Sequence, residues 1–281
     1  MKNILVPTDF SEISDYGLHV AVQIAKKINA QVHLLNLITP PTGNTFAVTG
    51  DVTKTYAHEE DRFVAQLLRV NKDRLEAIAA AHAKDGIKIN TLLKVEPWQE
   101  GIKDTINSLG IDLVVMGTSG ETNFAEYFVG NHTEQVIRIS HRPVLTVREY
   151  FTHFDIKNIV LATDLQVEAM DAIGRIKRFA EVLNAKVHLL HIRPNEDKSI
   201  SEIEAALHNF ADVHHISNYT VNVVKHSDEV EGIRKFSRAN KADIIAVITH
   251  SRSGLSQLFK GSISEDIVKE ANLPVLSINM D

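Results

Sequence analysis

The chain has 281 residues, enough for two ordinary domains that each bury a core. A formal net charge of −6 with 44% apolar and 23% charged residues fits a soluble globular protein and argues against a nucleic-acid partner, which demands a basic surface. With no cysteine there is no disulfide framework or thiolate metal site, and no run approaches the roughly 18 apolar residues of a membrane span, so a cytoplasmic protein without a membrane partner is expected.

In chain order, Asn3 to Val6 is a short apolar strand. Ser11 is a good N-cap for a helix in which Ile13, Leu18, Ala21, Val22, Ala25 and Ile28 recur at helical spacing. Gln31 to Leu37 reads as a second strand, and Pro40 to Asp51 as a loop rich in Pro, Gly and Thr. A long helix from about Ala57 to Ala83 carries Arg62, Arg69, Lys72 and Arg74 on a solvated face. Ile87 to Val95 is the third strand, Pro97 suits the first turn of the next helix, and Gly110 ends it. Trp98, beside Pro97, reads as packing or surface. Ile111 to Met116 is a buried strand, and Arg142 to Val147 closes the series.

The series then repeats. Lys2-Asn3-Ile4 and Val32-His33-Leu34-Leu35 return 155 positions later, at Lys157 and Val187. Asp112, Gly130 and Pro143-Val144-Leu145 return 131 positions later, at Asp243, Gly261 and Pro274. Two copies of one domain, 1–150 and 155–281, are expected in tandem. Alternating strands and helices predict an open five-stranded parallel sheet in each, covered on both faces. The final strands would be exposed edges in isolated copies, and edges invite pairing.

Ligands in such sheets bind beyond strand carboxyl ends, where strand order reverses. Asp9, Leu37 and Gly117 fall at three such ends. After the fourth strand comes Gly117-Thr118-Ser119-Gly120, then Gly130-Asn131-His132-Thr133-Glu134. Spaced glycines leading to a helix N-terminus can hold an anion. Asn131 with Glu134, and Ser262 with Glu265, look like capping boxes. The spacing does not separate a phosphate loop from a tight turn with a helix cap. It matches neither a P-loop nor a Gly-x-Gly-x-x-Gly dinucleotide unit.

Taken together, the chain resembles the universal stress protein family in its tandem form. The resemblance rests on Asp9, Gly-x2-Gly-x9-Gly at Gly117, Gly120 and Gly130, and the Pro-Val-Leu final strand. It implies a Rossmann-like fold of the adenine nucleotide alpha-hydrolase type. It also implies a stress-response sensor or regulator that binds ATP, AMP or ADP, with Mg²⁺ where ATP is bound. The implied site comprises Pro7, Thr8, Asp9, Leu37 (backbone groups toward an adenine), Met116, Gly117, Ser119, Gly120, Gly130, Asn131 and His132. Asn131 stands where the family prefers a hydroxyl residue.

Copy two has Ile248 and Ser251 at the first two glycine positions but keeps Gly261-Ser262. A weaker or vacant second site is expected there, drawing on Thr163, Asp164, Ile192, Gly261 and Ser262, with the reverse order left open because Gly261-Ser262 is the more orthodox phosphate end. Since copy two keeps the fold without those glycines, Gly117 and Gly120 are assigned to a ligand rather than to the fold. Family dimers pair their final strands, so an intramolecular pseudo-dimer is expected, with homodimerisation through other faces left open. No catalytic triad, catalytic lysine or metal-ligand cluster is evident, and His33, His188, His191 and His214-His215 lack zinc-like spacing. Two alternatives stay open: a slow, Mg²⁺-dependent ATPase or nucleotide transferase, and a partner-binding module with decayed pockets.

Overall fold

A computed structural model describes residues 1–39, 54–83, 86–118, 127–165, 170–193, 199–249, 266–267 and 271–280, with backbone alone for 54–61 and 127–131. The first copy runs β1 (Asn3–Pro7), α1 (Glu12–Ile28), β2 (Gln31–Ile38), α2 (Lys54–Ala83), β3 (Ile89–Val95), α3 (Trp98–Leu109), β4 (Leu113–Gly117), α4 (Tyr127–Ile139), β5 (Val144–Val147). The second runs β6 (Asn158–Ala162), α5 (Met170–Leu183), β7 (Lys186–Arg193), α6 (Ile200–Val213), β8 (Tyr219–Lys225), α7 (Glu229–Ala239), β9 (Ile244–Thr249), β10 (Val275–Asn279).

The ten strands form one sheet in the order β3-β2-β1-β4-β5-β10-β9-β6-β7-β8. Every pairing is parallel except the seam, where β5 and β10 run antiparallel. Each copy is thus an open five-stranded parallel α/β unit, and each unit's edge strand is covered by the other's. Leu145 pairs with its own repeat counterpart, Leu276, flanked by Thr146 with Val275 and Val144 with Ser277. This register places the pseudo-two-fold at the Leu145–Leu276 pair.

Side chains alternate between sheet faces along each strand. On one face Ile4, Val6, Leu34, Val115 and Leu145 join Leu161, Leu189, Ala246 and Leu276 in a single core that crosses the seam under α1 and α5. On the other face the core is split: Leu5, Leu35, Val114 and Met116 pack under α3 and α4, and Val160, Leu190, Ile245 and Val247 form a separate cluster with Ile233 of α7. The segment between the copies is pinned to α1. Gln23 donates to the Phe151 carbonyl and accepts from the Phe154 amide, and Lys27 pairs with Asp155.

Most of the repeated landmarks hold the amino ends of the strands. Asp112 Oδ2 accepts from the Lys2 and Asn3 amides at 2.6 and 3.1 Å, and Asp243 Oδ2 accepts from Lys157 and Asn158 at 2.7 and 2.8 Å. His33 and His188 each meet the side-chain oxygen of Asn3 or Asn158 at 3.2 Å.

Several boundaries differ from the sequence reading. The long helix α2 starts at Lys54 rather than Ala57, and β3 starts at Ile89 rather than Ile87. Pro97 is the N-cap of α3, not a residue of its first turn. The largest correction is α4, which starts at Tyr127. Gly130 and Asn131 therefore lie inside the helix, and Asn131 does not cap it. The physical reason is the apolar stripe: Thr133, Val136, Ile137 and Ser140 are buried, and their spacing extends back through Val129 in the sequence. That register outweighs a glycine inside the helix, a cost of about 1 kcal/mol.

Candidate functional site

The strand order places β1 between β2 and β4, so successive crossovers leave β1 in opposite directions and open a crevice at the carboxyl ends of β1 and β4. The chain leaves β1 through Thr8, Asp9 and Phe10 before Ser11 caps α1 by accepting from the Ser14 amide. Phe10 sits at φ 65°, and its counterpart Leu165 at φ 66°. A bulky residue in this region is strained, and both copies hold it the same way. The Thr8 and Thr163 hydroxyls each accept from that residue's amide at 3.0 Å. Asn36 donates to the Thr8 carbonyl at 2.8 Å, and His191 occupies the same place 3.0 Å from the Thr163 carbonyl. Sequence reading missed this brace, although the matching repeat positions of Asn36 and His191 held the signal.

The turn presents Asp9 to solvent while burying Thr8 and Pro7. Asp9 Oδ1 accepts from the Ser11 amide at 2.9 Å. Partial burial raises the carboxyl's pKa, but hydrogen bonds from Ser11 and Ser14 outweigh it, and the net shift is downward. An ionised carboxylate therefore stands at the crevice rim. One strand over, Leu35 O accepts from Thr8 N on the β1 side, and Ile38 O accepts from Glu96 N on the β3 side. Backbone groups alternate sides along a strand, so the N–H and C=O of Leu37 face the β1 side, past the end of that strand. The Leu37 side chain instead lies against α3, where a Cβ on Gly101 would stand 2.4 Å from it. Ile192 and Gly232 repeat that contact in copy two.

Gly117 requires a correction. Its φ is not in the left-handed region, yet a Cβ there would lie 1.8 Å from the Ile13 carbonyl oxygen. A Cβ on Gly17 would in turn lie 2.6 Å from the Gly117 amide nitrogen. The fold of copy one therefore demands glycine at 117 for helix packing, and the assignment of Gly117 to a ligand alone is withdrawn. Copy two carries larger residues at both counterpart positions, Ala172 for Gly17 and Ile248 for Gly117.

On the α3–α4 side of the crevice, His132 lies half-buried and stacks on Trp98, with ring centroids 4.3 Å apart and planes at 13°. Desolvation lowers the His132 pKa, and the Asp9 carboxylate only partly counters it. The buried Trp98 Nε1 has no hydrogen-bond partner among the described residues. Met116 is 6% exposed and forms part of the wall. Gly130 and Asn131 are placed in α4 by their backbone; Ser119, Gly120, Gly261 and Ser262 lie outside the described residues. In copy two, Asp164 is exposed, Thr163 half-buried and Ile192 buried. Among the described residues no group of three or more His, Asp or Glu is placed to hold a metal ion, and no helix is long and apolar enough to cross a membrane.

A doubly wound α/β sheet with a carboxylate, strand-end backbone and a glycine segment around its switch point defines a Rossmann-like protein in tandem form. The sequence matches the Universal stress protein family over residues 1–148 and again over 155–279, and the chain belongs to that family. A universal stress protein of Methanocaldococcus jannaschii is 29% identical over 154 residues, spanning 52% of this chain and 94% of its own. A second from the same organism is 28% identical over 151 residues, 53% of this chain and 82% of its own. The crystal structure of a universal stress protein from Archaeoglobus fulgidus shares the fold at a TM-score of 0.71 and 19% identity, covering 99% of this chain and 98% of that one.

Proposed function

We propose that this chain is a stress-response sensor or regulator that binds an adenine nucleotide, ATP or its AMP or ADP relatives, in the β1–β4 crevice of copy one. The observation that carries the reading is the convergence at that crevice of the Asp9 carboxylate, the outward backbone of Leu37 and the Gly117 strand end, with His132 on the facing helix. A ribose offers hydroxyl donors to Asp9. An adenine edge offers the donor and acceptor that the Leu37 C=O and N–H complement. Phosphates would extend toward the start of α4, where backbone amides and the helix dipole favour negative charge, with Mg²⁺ accompanying ATP. Copy two keeps Asp164 and Ile192 but carries Ile248 in place of Gly117, and its site is weak or vacant. The protein acts in the cytoplasm.

The test is to denature the purified full-length protein, identify released small molecules by mass spectrometry, and repeat with Gly130→Glu. Gly130 lies within α4, where glutamate is the better helix former. Loss of nucleotide with the helical content retained therefore reports binding rather than folding. A nucleotide-free wild-type protein that also takes up no added ATP would defeat the proposal.

A further inference from the structure

Away from the crevice, a cavity of about 150 Å³ lies where α3, the turn after α4 and α5 of the other copy meet. Lys103, His141, Arg142 and Arg175 line it, with Asn107, and among the described residues no carboxylate does. In a chain of net charge −6 that is a local reversal of sign. Arg175 is anchored by donating to the His141 carbonyl, which bridges the two copies. Among the described residues neither Lys103 nor Arg142 has an ion-pair partner.

Cations at this place could merely complement the carbonyl end of α4. The tandem repeat supplies the control. The equivalent turn of copy two carries Asn272 and Leu273 in place of His141 and Arg142, and Val20 stands where Arg175 does. The counterpart of Lys103 is Arg234, already paired with Glu231 at 3.0 Å. Copy two makes the equivalent link into its final strand without these cations and without the left-handed backbone of His141 (φ 45°), so reaching that strand does not depend on them. We propose that the cavity binds one phosphate group, free or as a small phosphomonoester, and that this anion clamps the two copies together. Arginine forks suit tetrahedral oxyanions. The space is large enough to admit a compact anion.

The experiment titrates inorganic phosphate, and separately glycerol 3-phosphate, into the full-length protein at constant ionic strength by calorimetry. Thermal unfolding is followed in parallel. Saturable binding of either anion, with a raised midpoint, is expected. So is at least a tenfold loss in Arg142→Leu, which installs the residue copy two tolerates. Lys103→Gln, an exposed position, is expected to weaken binding severalfold without touching stability. The arm that binds more tightly identifies the source of the phosphate. No saturable binding by wild type, unchanged binding in Arg142→Leu, or loss of binding in Asp9→Ala instead would each overturn the proposal.

Discussion

Gly17 of α1 and Gly117 at the end of β4 press backbone against backbone, 2.6 Å from a would-be Gly17 Cβ to the Gly117 nitrogen. Neither glycine is there for φ, since both have ordinary backbone angles. The pair lets the first turns of α1 settle onto β4, which in turn places the Ser11 cap and Asp9 at the crevice. Gly17→Ala should cost roughly 1–3 kcal/mol, the usual penalty of overpacking. Gly117→Ala should cost more, because its Cβ would come within 1.8 Å of the Ile13 carbonyl oxygen, a closer approach to backbone than the 2.6 Å at Gly17. Urea unfolding would read both. A cost for Gly17→Ala under 0.5 kcal/mol, the range of uneventful surface changes, would refute the close-packing account.

That pair also shows how far the sequence was legible. The repeat and the two parallel units followed from identities such as Lys2-Asn3-Ile4 with Lys157-Asn158-Ile159 and from strand-helix alternation, and the pairing of final strands from the family resemblance. Gly117 was misread because the backbone it packs against, at Ile13 and Gly17 of α1, lies about 100 positions away in the chain. Comparing repeats one position at a time sees a dispensable glycine; only the packing of copy one shows how close the Ile13 carbonyl lies. Asn131 was misread for a different reason. A cap signature is local, whereas the stripe that α4 buries, Thr133, Val136 and Ile137, continues in the sequence back to Val129 and favours an earlier start. The brace of Asn36 and His191 was missed although the two stand at matching repeat positions, because an amide and an imidazole share a role only once both are seen at a threonine carbonyl.

Asp9 and Asp164 occupy matching turns, but the proposed function separates them. Asp9→Ala should weaken adenine nucleotide binding by roughly 10- to 100-fold, the scale of one hydrogen bond to a charged group. Asp164→Ala should change it less than twofold. Calorimetry on the full-length chain makes the comparison. Equal losses in the two variants would mean that the copies share the ligand, and a larger loss in Asp164→Ala would reverse their order.

Three buried or half-buried histidines set a pH dependence. Desolvation lowers the pKa of His33, of His188 (with Lys186 adding to it) and of His214 (with His215 adding to it). In the unfolded chain these groups regain the ordinary value near 6.5. A depressed folded pKa means that the unfolded state binds more protons as pH falls. Their stabilising contribution is therefore complete above pH 6.5 and declines as pH drops through that value toward the folded pKa. Unfolding midpoints measured from pH 8 to 5 should fall over this window. His33→Gln with His188→Gln should flatten the decline. An unchanged slope in the double variant would remove the histidines from the account.

Trp98 is the only tryptophan in the chain, so its stacking on His132 makes the crevice visible to fluorescence. Protonated imidazole quenches an excited indole in contact with it, whereas the neutral ring does so weakly. Because desolvation lowers the His132 pKa against the partial opposition of Asp9, quenching should set in with a midpoint below 6.5. His132→Gln should abolish that step while leaving the emission at pH 8 nearly unchanged. Phosphates brought close to His132 would stabilise its charged form and raise its pKa. Saturating nucleotide should therefore move the midpoint upward, and by linkage nucleotide affinity should rise as pH falls through it. A midpoint that nucleotide leaves in place, in a protein shown to bind it, would put the phosphates away from α4 and turn the nucleotide end for end in the crevice.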